Sequence, residues 1–173
     1  MERFESANVL LRDIMPSDLE MLRQWRNDPA IRLNMCNNSE ISTKQQLAWY
    51  THISEQTKHK HFVAEYCNNA IGYVNLKLVN KGVYEAGLYM GEPKYRGSFL
   101  SFLMAMAQLD YAFDVLNANV IEAQVLISNQ AAIRFNQKLG YQQKGLESGN
   151  YVDMKLQASW YTTQRQQLAR FIR

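Results

Sequence analysis

The chain has 173 residues, 47% of them hydrophobic, which fits one domain around one sizeable core, so we interpret residues 1–173 as a single domain. No stretch is apolar and continuous enough for a membrane span, and the first residues lack the apolar centre of a signal peptide, so we predict a cytoplasmic protein that does not enter a membrane. Cys36 and Cys67 lack the paired spacing of a zinc knuckle or a disulfide framework, and the net charge of +3 comes from scattered basic residues, which disfavours nucleic acid and suits a small anionic ligand.

The first part of the chain predicts a short strand followed by two helices. The strand is residues 8–13, NVLLRD. Ser17 and Glu20 have the spacing of a capping box and predict a helix that opens there and ends near residues 28–29. After a polar loop, Ser42 or Thr43 can cap a second helix, whose apolar residues are Leu47, Trp49, Tyr50 and Ile53.

Three runs rich in β-forming residues follow. They are residues 61–67, 71–79 and 83–90. Turn signals at residues 68–69 and 80–82 separate them. The three runs therefore predict an antiparallel meander.

The rest of the chain alternates helices with strands. Apolar residues recur with the helical period from residue 98 to about 116, which predicts a core-facing helix. The later elements are a strand at 120–127, a helix at 129–139 closed by Gly140, strands at 141–146 and 151–157, and a basic helix from about 160 to 172. This order predicts an α+β fold with a mixed, mostly antiparallel central sheet of about seven strands and helices on both faces.

The loop YRGSFLS, residues 95–101, is the first candidate for binding chemistry. It leads into a helix, and the first amides of a helix lack intrahelical acceptors at an end that carries partial positive charge. Such ends bind phosphates, and Arg96 and Gly97 are residue types that fit this use. An ordinary helix start after Pro93 explains the same residues equally well.

The second half of the chain resembles the GNAT superfamily of N-acetyltransferases. Residues 96–101 align with the family's R/Q-x-x-G-x-G/A loop, and 121–145, IEAQVLISNQAAIRFNQKLGYQQKG, resembles its fifth strand and following helix. The resemblance implies a GNAT fold with acetyl-CoA as cosubstrate. The implied cofactor-binding residues are Leu88, Tyr89, Met90, Arg96, Gly97, Ser98, Phe99, Leu100, Ser101 and Asn129, with the amide of Tyr89 or Met90 facing the acetyl carbonyl.

Phe99 departs from the family pattern, because it replaces a glycine that lets the pyrophosphate lie against the backbone. If its ring turns outward from the loop, binding survives. If the ring points into the loop, affinity falls.

The reaction needs a neutral amine, a donor for the developing oxyanion and a route for the amine proton. Glu85 shares a strand face with Gly87 and Tyr89, and it is our candidate base, with a solvated strand glutamate as the alternative. Many members place a tyrosine acid on the last motif helix, but the register puts Asn136 there, which cannot donate a proton as an acid. Because a thiol has a pKa of about 8.5, a thiolate can leave without an acid, and Tyr141 or Tyr89 could also substitute.

The acceptor side is assigned by a second resemblance. Trp25, Arg26, Asn27 and Trp49 belong to a pattern, WRN…IR…M…IS…W, that resembles N-acetyltransferases of nucleotide-linked 4-amino-deoxysugars, including the pseudaminic acid pathway enzyme. In this interpretation Arg26 contacts a phosphate and Trp25 or Trp49 stacks on a base or sugar. Considered singly, each Trp is better explained as a core residue of its helix than as a substrate contact. His59 and His61 lack carboxylate or cysteine partners in the sequence, so no metal site is predicted.

The expected activity is therefore acetylation of the primary amine of a nucleotide-activated amino sugar. One alternative keeps acetyl-CoA and changes the acceptor to a protein N-terminus or a small free amine. Another is a degenerate relative that binds a ligand without catalysis, because of Phe99 and Asn136. The oligomeric state is left open, with a homodimer among the alternatives.

Overall fold

The computed structural model describes residues 2–144 and 149–170. Within these residues the sheet has eight strands in the order β1-β2-β3-β4-β5-β6-β8-β7. The strands are β1 Arg3–Ser6, β2 Val9–Asp13, β3 His59–Tyr66, β4 Asn69–Asn80, β5 Val83–Met90, β6 Val120–Leu126, β7 Gln142–Gln143 and β8 Tyr151–Gln157. The β5–β6 pair is parallel and the other neighbours are antiparallel, which confirms the mixed, mostly antiparallel α+β sheet.

The helices are α1 Leu19–Asn27, α2 Pro29–Arg32, α3 Thr43–Ser54, α4 Leu100–Asp110, α5 Gln130–Lys138 and α6 Ala158–Ala169. Two buried clusters lie on opposite faces of the sheet, because successive side chains of a strand point to opposite sides. Phe62 and Ala64 of β3 pack with α4, α5 and α6, whereas Val63 between them packs with α1. No helix in the described part of the chain is long and apolar enough to span a membrane.

Local sequence signals predicted some helix ends and missed others. Ser42 caps α3 and accepts a hydrogen bond from the Gln45 amide at 3.3 Å, as the sequence predicted. The predicted capping box of Ser17 and Glu20 is wrong. A 3-10 turn, Pro16–Asp18, precedes α1, and the Asp18 carboxylate instead binds Arg12 and the Met15 amide.

Three further boundaries differ from the sequence prediction. Strand β1 was not predicted, because its four residues are mostly polar and only pairing with β2 defines it. The predicted helix from 98 to about 116 is α4 followed by a wider π turn at Tyr111–Val115. The predicted strand 141–146 is observed as Gln142–Gln143, while its end at Leu146 and the last helix's end at Ile172 lie outside the described residues.

Candidate functional site

The central feature of the site is the point where β5 and β6 part. They pair in parallel only from Val83 to Glu85 on β5, although β4 follows β5 to its end and β8 follows β6 along its whole length. A cavity of about 910 Å³ lies beyond this point, lined by residues 86–90 of β5 and 123–126 of β6. The divergence therefore opens a cleft between the two halves of the sheet.

Two residues that sequence reasoning did not assign form the floor of this cleft. The Asn75 side chain lies over Gly87, where a Cβ would come within 2.5 Å of Asn75 Oδ1. The buried amide of Gln108 on α4 donates to the carbonyls of Asn75 and Gly87 at 2.8 and 2.9 Å. Helix α4 thus holds β4 and β5 at the start of the divergence.

The predicted phosphate loop adopts a tight turn before α4. Gly97 has φ +72° and nothing lies within 4 Å of a Cβ placed there, so the glycine is required by backbone conformation and not by space. The amides of Ser98, Leu100 and Ser101 have local acceptors at 3.2 to 3.4 Å. Of this loop, Arg96 and Ser101 line the cavity.

Arg96 connects the loop to both neighbouring elements. Its guanidinium donates to the carbonyls of Met90 and Gly91 at 3.3 and 2.8 Å. It also forms an ion pair with Asp28, between α1 and α2, at 2.9 Å. The residue assigned to the cofactor phosphates therefore also fixes the end of β5 against the acceptor-side helices.

The Phe99 ring packs on the side of α4 that faces α5, and Phe99 is not among the described residues that line the cavity. It stacks on Phe102 with ring centroids 5.7 Å apart, and Phe102 packs on Phe135 at 4.5 Å. Phe99 is 39% exposed. The effect of Phe99 on cofactor binding stays a prediction.

Helix α5 contributes both assigned asparagines to the cavity lining. Asn129 is its N-cap and accepts from the Ala132 amide at 3.1 Å. The Asn136 amide nitrogen lies 3.8 Å from the sulfur of Met154. Tyr141 also lines the cavity, and burial raises the pKa of its hydroxyl.

Glu85 lies on the predicted sheet face but outside the lining of the large cavity. It is opposite Lys77 on β4, and the two side chains form an ion pair at 3.5 Å. The Glu85 side chain is 44% exposed and borders a separate cavity of about 150 Å³, which Glu122 and Asp153 also line. Its role as the base stays a prediction.

The structure places Trp25 and Asn27 behind the cavity. Trp25 is 8% exposed, and its ring occupies the space beside Gly91, where a Cβ would come within 2.1 Å of it. The Asn27 side chain binds the backbone N and O of Ile41 at 2.7 and 2.8 Å. Trp25 is therefore core, and Asn27 fixes the loop that leads into α3.

Arg26 does line the cavity. One of its terminal nitrogens donates to the Asn37 carbonyl. The other, Nη1, is buried and has no hydrogen-bond partner within residues 2–144 and 149–170. Burial lowers the pKa of Arg26, so this cation lacks much of its usual solvation.

An aromatic wall of Trp49, His61, Tyr73 and Tyr89 forms part of the cavity lining, on the side predicted for the acceptor. The Trp49 ring meets His61 and Tyr73 edge-on at 5.8 and 6.1 Å, and Tyr73 stacks on Tyr89 at 5.1 Å. His61 Nδ1 lies 2.7 Å from the Tyr73 hydroxyl. Sequence reasoning considered His61 only as a metal ligand, because its neighbours come from β4, β5 and α3.

Charged groups in the cavity are mainly basic. In the part of the chain that the structure describes, the charged lining residues are Arg26, Lys77, Arg96 and Glu40. Glu40 is 75% exposed at its side chain and lies 3.7 Å from Arg32. Lys77 and Arg96 pair with Glu85 and Asp28, so within the described residues Arg26 is the lining cation without an ion pair, and its charge favours a ligand with negative charge.

The loop between α2 and α3 reaches the second half of the sheet. Cys36 of this loop lines the cavity, and its side chain lies close enough to the hydroxyl of Tyr151 on β8 to raise the pKa of Tyr151. The loop therefore contacts both sides of the cleft.

Comparisons with known proteins agree with this geometry. The family described as Acetyltransferase (GNAT) domain matches residues 8–142. An uncharacterized N-acetyltransferase p20 from Bacillus licheniformis is 24% identical over 153 residues, which is 84% of this chain and 85% of that protein.

Two solved structures share the fold. A spermidine N-acetyltransferase from Vibrio cholerae, in complex with CoA and spermine, has a TM-score of 0.81 at 21% identity, over 91% of this chain and 99% of that one. The aminoglycoside acetyltransferase AAC(6')-Ib, in complex with coenzyme A, has a TM-score of 0.80 at 19% identity, over 91% of this chain and 99% of that one.

Proposed function

The chain belongs to the GNAT family of acetyltransferases, which transfer the acetyl group of acetyl-CoA, and we propose that its acceptor is the primary amine of a nucleotide-activated amino sugar. The observation that carries this proposal is the buried Nη1 of Arg26, which faces no acceptor in the described structure. An unpaired buried guanidinium nitrogen is costly, and an anionic acceptor would supply the missing partner.

The charges of the cavity favour this acceptor over a polycation. The names of the two structural relatives give spermine and aminoglycosides as their substrates or ligands. These molecules carry several amines and need carboxylates for recognition. Here Glu40 is exposed and close to Arg32, and Lys77 pairs with Glu85, whereas Arg26 contributes positive charge without an ion pair among the described residues. A nucleotide diphosphate would complement that charge and leave the sugar amine free to react.

The aromatic wall suits the rest of such a molecule. Trp49 and Tyr73 present ring faces or edges to the cavity, where a sugar or a base can pack. Arg26 and Trp49 are therefore the proposed acceptor contacts. Trp25 and Asn27 support them from behind, through Gly91 and Ile41.

The cleft also fits acetyl-CoA. The cavity of about 910 Å³ lies between β5 and β6 and extends to Arg96, Ser101 and Asn129. These three residues belong to the family motifs and line the cavity. We propose that residues 96–101 hold the pyrophosphate and that Leu88, Tyr89 and Met90 align the thioester. When bound, acetyl-CoA supplies the activated acetyl group.

One experiment distinguishes the proposed acceptor from the alternative acceptors and from a non-catalytic protein. Turnover would be measured with acetyl-CoA and a panel containing UDP- and dTDP-linked 4-amino-deoxysugars, the free amino sugar, a peptide amine, spermine and ribostamycin. We expect the nucleotide-linked sugars to have the highest kcat/KM. Equal kcat/KM for free and linked sugar would refute the proposed acceptor, and a preference for the peptide would favour protein N-termini. Binding of acetyl-CoA without turnover of any amine would support the degenerate, non-catalytic alternative.

A further inference from the structure

The cavity offers few groups that can take the amine proton. Glu85 is 44% exposed, forms an ion pair with Lys77 and borders the separate small cavity. Glu40 lines the main cavity but is exposed and lies close to Arg32. Among the described lining residues, His61 is the remaining side chain whose ordinary pKa is near neutrality.

His61 is held by the fold on the acceptor side of the cleft. Its Cα pairs with Asn75 on β4, and Asn75 pairs with Gly87 at the start of the divergence, so the three residues form one row across the sheet. The imidazole contacts Trp49 edge-on, and its Nδ1 lies 2.7 Å from the Tyr73 hydroxyl. These contacts fix the ring and leave Nε2 as its other polar atom.

We propose that His61 is the catalytic base of the acetyl transfer and that Tyr73 is a positioning residue that keeps the proton of the neutral ring on Nδ1. The Nδ1–H donates to the Tyr73 hydroxyl oxygen, and Nε2 accepts from the amine. This inference rests on the acetyl transfer above and not on the identity of the acceptor. In this proposal His61 takes the role of base that the sequence analysis gave to Glu85.

The step balances without any further reactant. The amine nitrogen forms a C–N bond to the acetyl carbon, the C–S bond breaks, and CoA leaves as the thiolate. The amine proton passes to Nε2 of His61 and then to the thiolate. That second transfer is favourable because a thiol has a pKa of about 8.5, above that of the imidazole.

The surroundings keep His61 neutral between turnovers. Burial, followed by the charges of His59, Lys77 and His52, lowers the pKa of His61 to about 4. The titratable groups around it are therefore His59 on its own strand, Tyr73 and Lys77 on β4, and His52 on α3. The ring is a weak base at equilibrium, but an amine that has begun to form the C–N bond is strongly acidic, so transfer to a neutral imidazole is feasible at that point.

Kinetics of matched variants test the proposal with whichever panel amine is turned over fastest. We expect His61→Ala to lower kcat about 10²- to 10⁴-fold, the range for loss of a general base, with the acetyl-CoA KM unchanged within about twofold. The control His52→Ala changes a histidine on the exposed face of α3 and should keep kcat. Glu85→Gln removes the competing carboxylate, and we expect it to lower kcat far less than His61→Ala does. Added imidazoles should restore the kcat of His61→Ala, and the extent should follow the order of their pKa values. Loss of packing alone would not produce that order.

A second measurement does not depend on turnover. Nitrogen-15 NMR of histidine-labelled wild type should show His61 neutral at pH 7 with its proton on Nδ1, and Tyr73→Phe should shift that tautomer. A proton on Nε2 in the wild type would overturn the proposal, as would a loss of kcat in Glu85→Gln with none in His61→Ala. If the sugar nucleotides are inert but spermine or ribostamycin reacts, the acceptor proposal fails and the His61 test proceeds with that amine.

Discussion

The Arg96 guanidinium lies 2.9 Å from the Asp28 carboxylate, so one side chain links the loop before α4 to the junction of α1 and α2. The same side chain donates to the carbonyls of Met90 and Gly91. The positive charge that the sequence assigned to the acetyl-CoA phosphates is thus partly neutralised before any ligand binds.

Asp28→Asn should therefore tighten acetyl-CoA binding. The asparagine oxygen can still accept from the Ala30 amide and cap α2, while the negative charge beside Arg96 is lost. An exposed ion pair contributes about 0.2–1 kcal/mol, so we expect the Kd to fall up to about fivefold. Calorimetry at several salt concentrations would measure this, with Glu20→Gln as a charge-matched control. A higher Kd in Asp28→Asn would mean instead that the ion pair holds Arg96 in its binding position.

Phe99→Gly should leave the Kd for CoA unchanged or lower it. The ring stacks on Phe102, and a glycine at this position leaves more room for a pyrophosphate beside the loop backbone. Calorimetry with CoA would detect the opposite result, a large rise in Kd, which would mean that Phe99 contacts the cofactor.

Gly97→Ala is the contrasting variant in the same loop. Its backbone φ of +72° is unfavourable for alanine by about 1–2 kcal/mol, so we expect the Kd for CoA to rise about five- to thirtyfold. A Kd equal to that of the wild type would show that the turn at Gly97 is not needed for binding.

Arg26→Ala should raise the acceptor KM about ten- to hundredfold, which corresponds to the 1.5–3 kcal/mol of a hydrogen bond to a charged group. The acetyl-CoA KM should not change, because Arg96, the residue assigned to the acetyl-CoA phosphates, has its own partners in Asp28 and the Gly91 carbonyl. Arg23→Ala is the control on the same helix, since Arg23 pairs with Glu20.

Truncating the acceptor substrate completes a double-mutant cycle with Arg26→Ala. Removing the nucleotide from the substrate should reproduce the Arg26→Ala defect in the wild type and add little in the variant. Additive losses would show that Arg26 does not bind the nucleotide.

Asp18→Asn should lower the free energy of unfolding by about 1.5–3 kcal/mol at pH 7, since it removes a charged partner of Arg12. The Asp18 carboxylate binds Arg12 through both oxygens, at 2.7 and 2.9 Å. Burial opposes ionisation of Asp18, but these bonds and that of the Met15 amide lower its pKa overall.

The sign of this shift fixes the pH dependence. A lowered folded pKa stabilises the protein above the unfolded value of about 3.9, and the stabilisation is lost as the pH falls through the folded pKa. Denaturant midpoints of wild type and Asp18→Asn should therefore converge toward acidic pH. If the difference between the two midpoints stays constant with pH, the Asp18 charge is not responsible for the lost stability. The control Glu20→Gln, at an exposed carboxylate, should have the same midpoint as the wild type.

The sequence by itself determined most of the order of elements and the family, and it predicted the cofactor loop. These signals are local: the β-forming composition of β3, β4 and β5, the cap of α3 at Ser42, and the Asn129 motif each lie within one short stretch. Strand β1 escaped this reasoning because its polar residues become a strand only by pairing with β2.

Only the tertiary structure decided which side chains meet. Arg96 pairs with Asp28, and the Phe99 ring stacks on Phe102. His61 meets Tyr73 and Trp49 across three elements. Such contacts join residues far apart in the chain, and their geometry depends on how strands diverge and helices pack, which periodicity and spacing along the sequence do not encode.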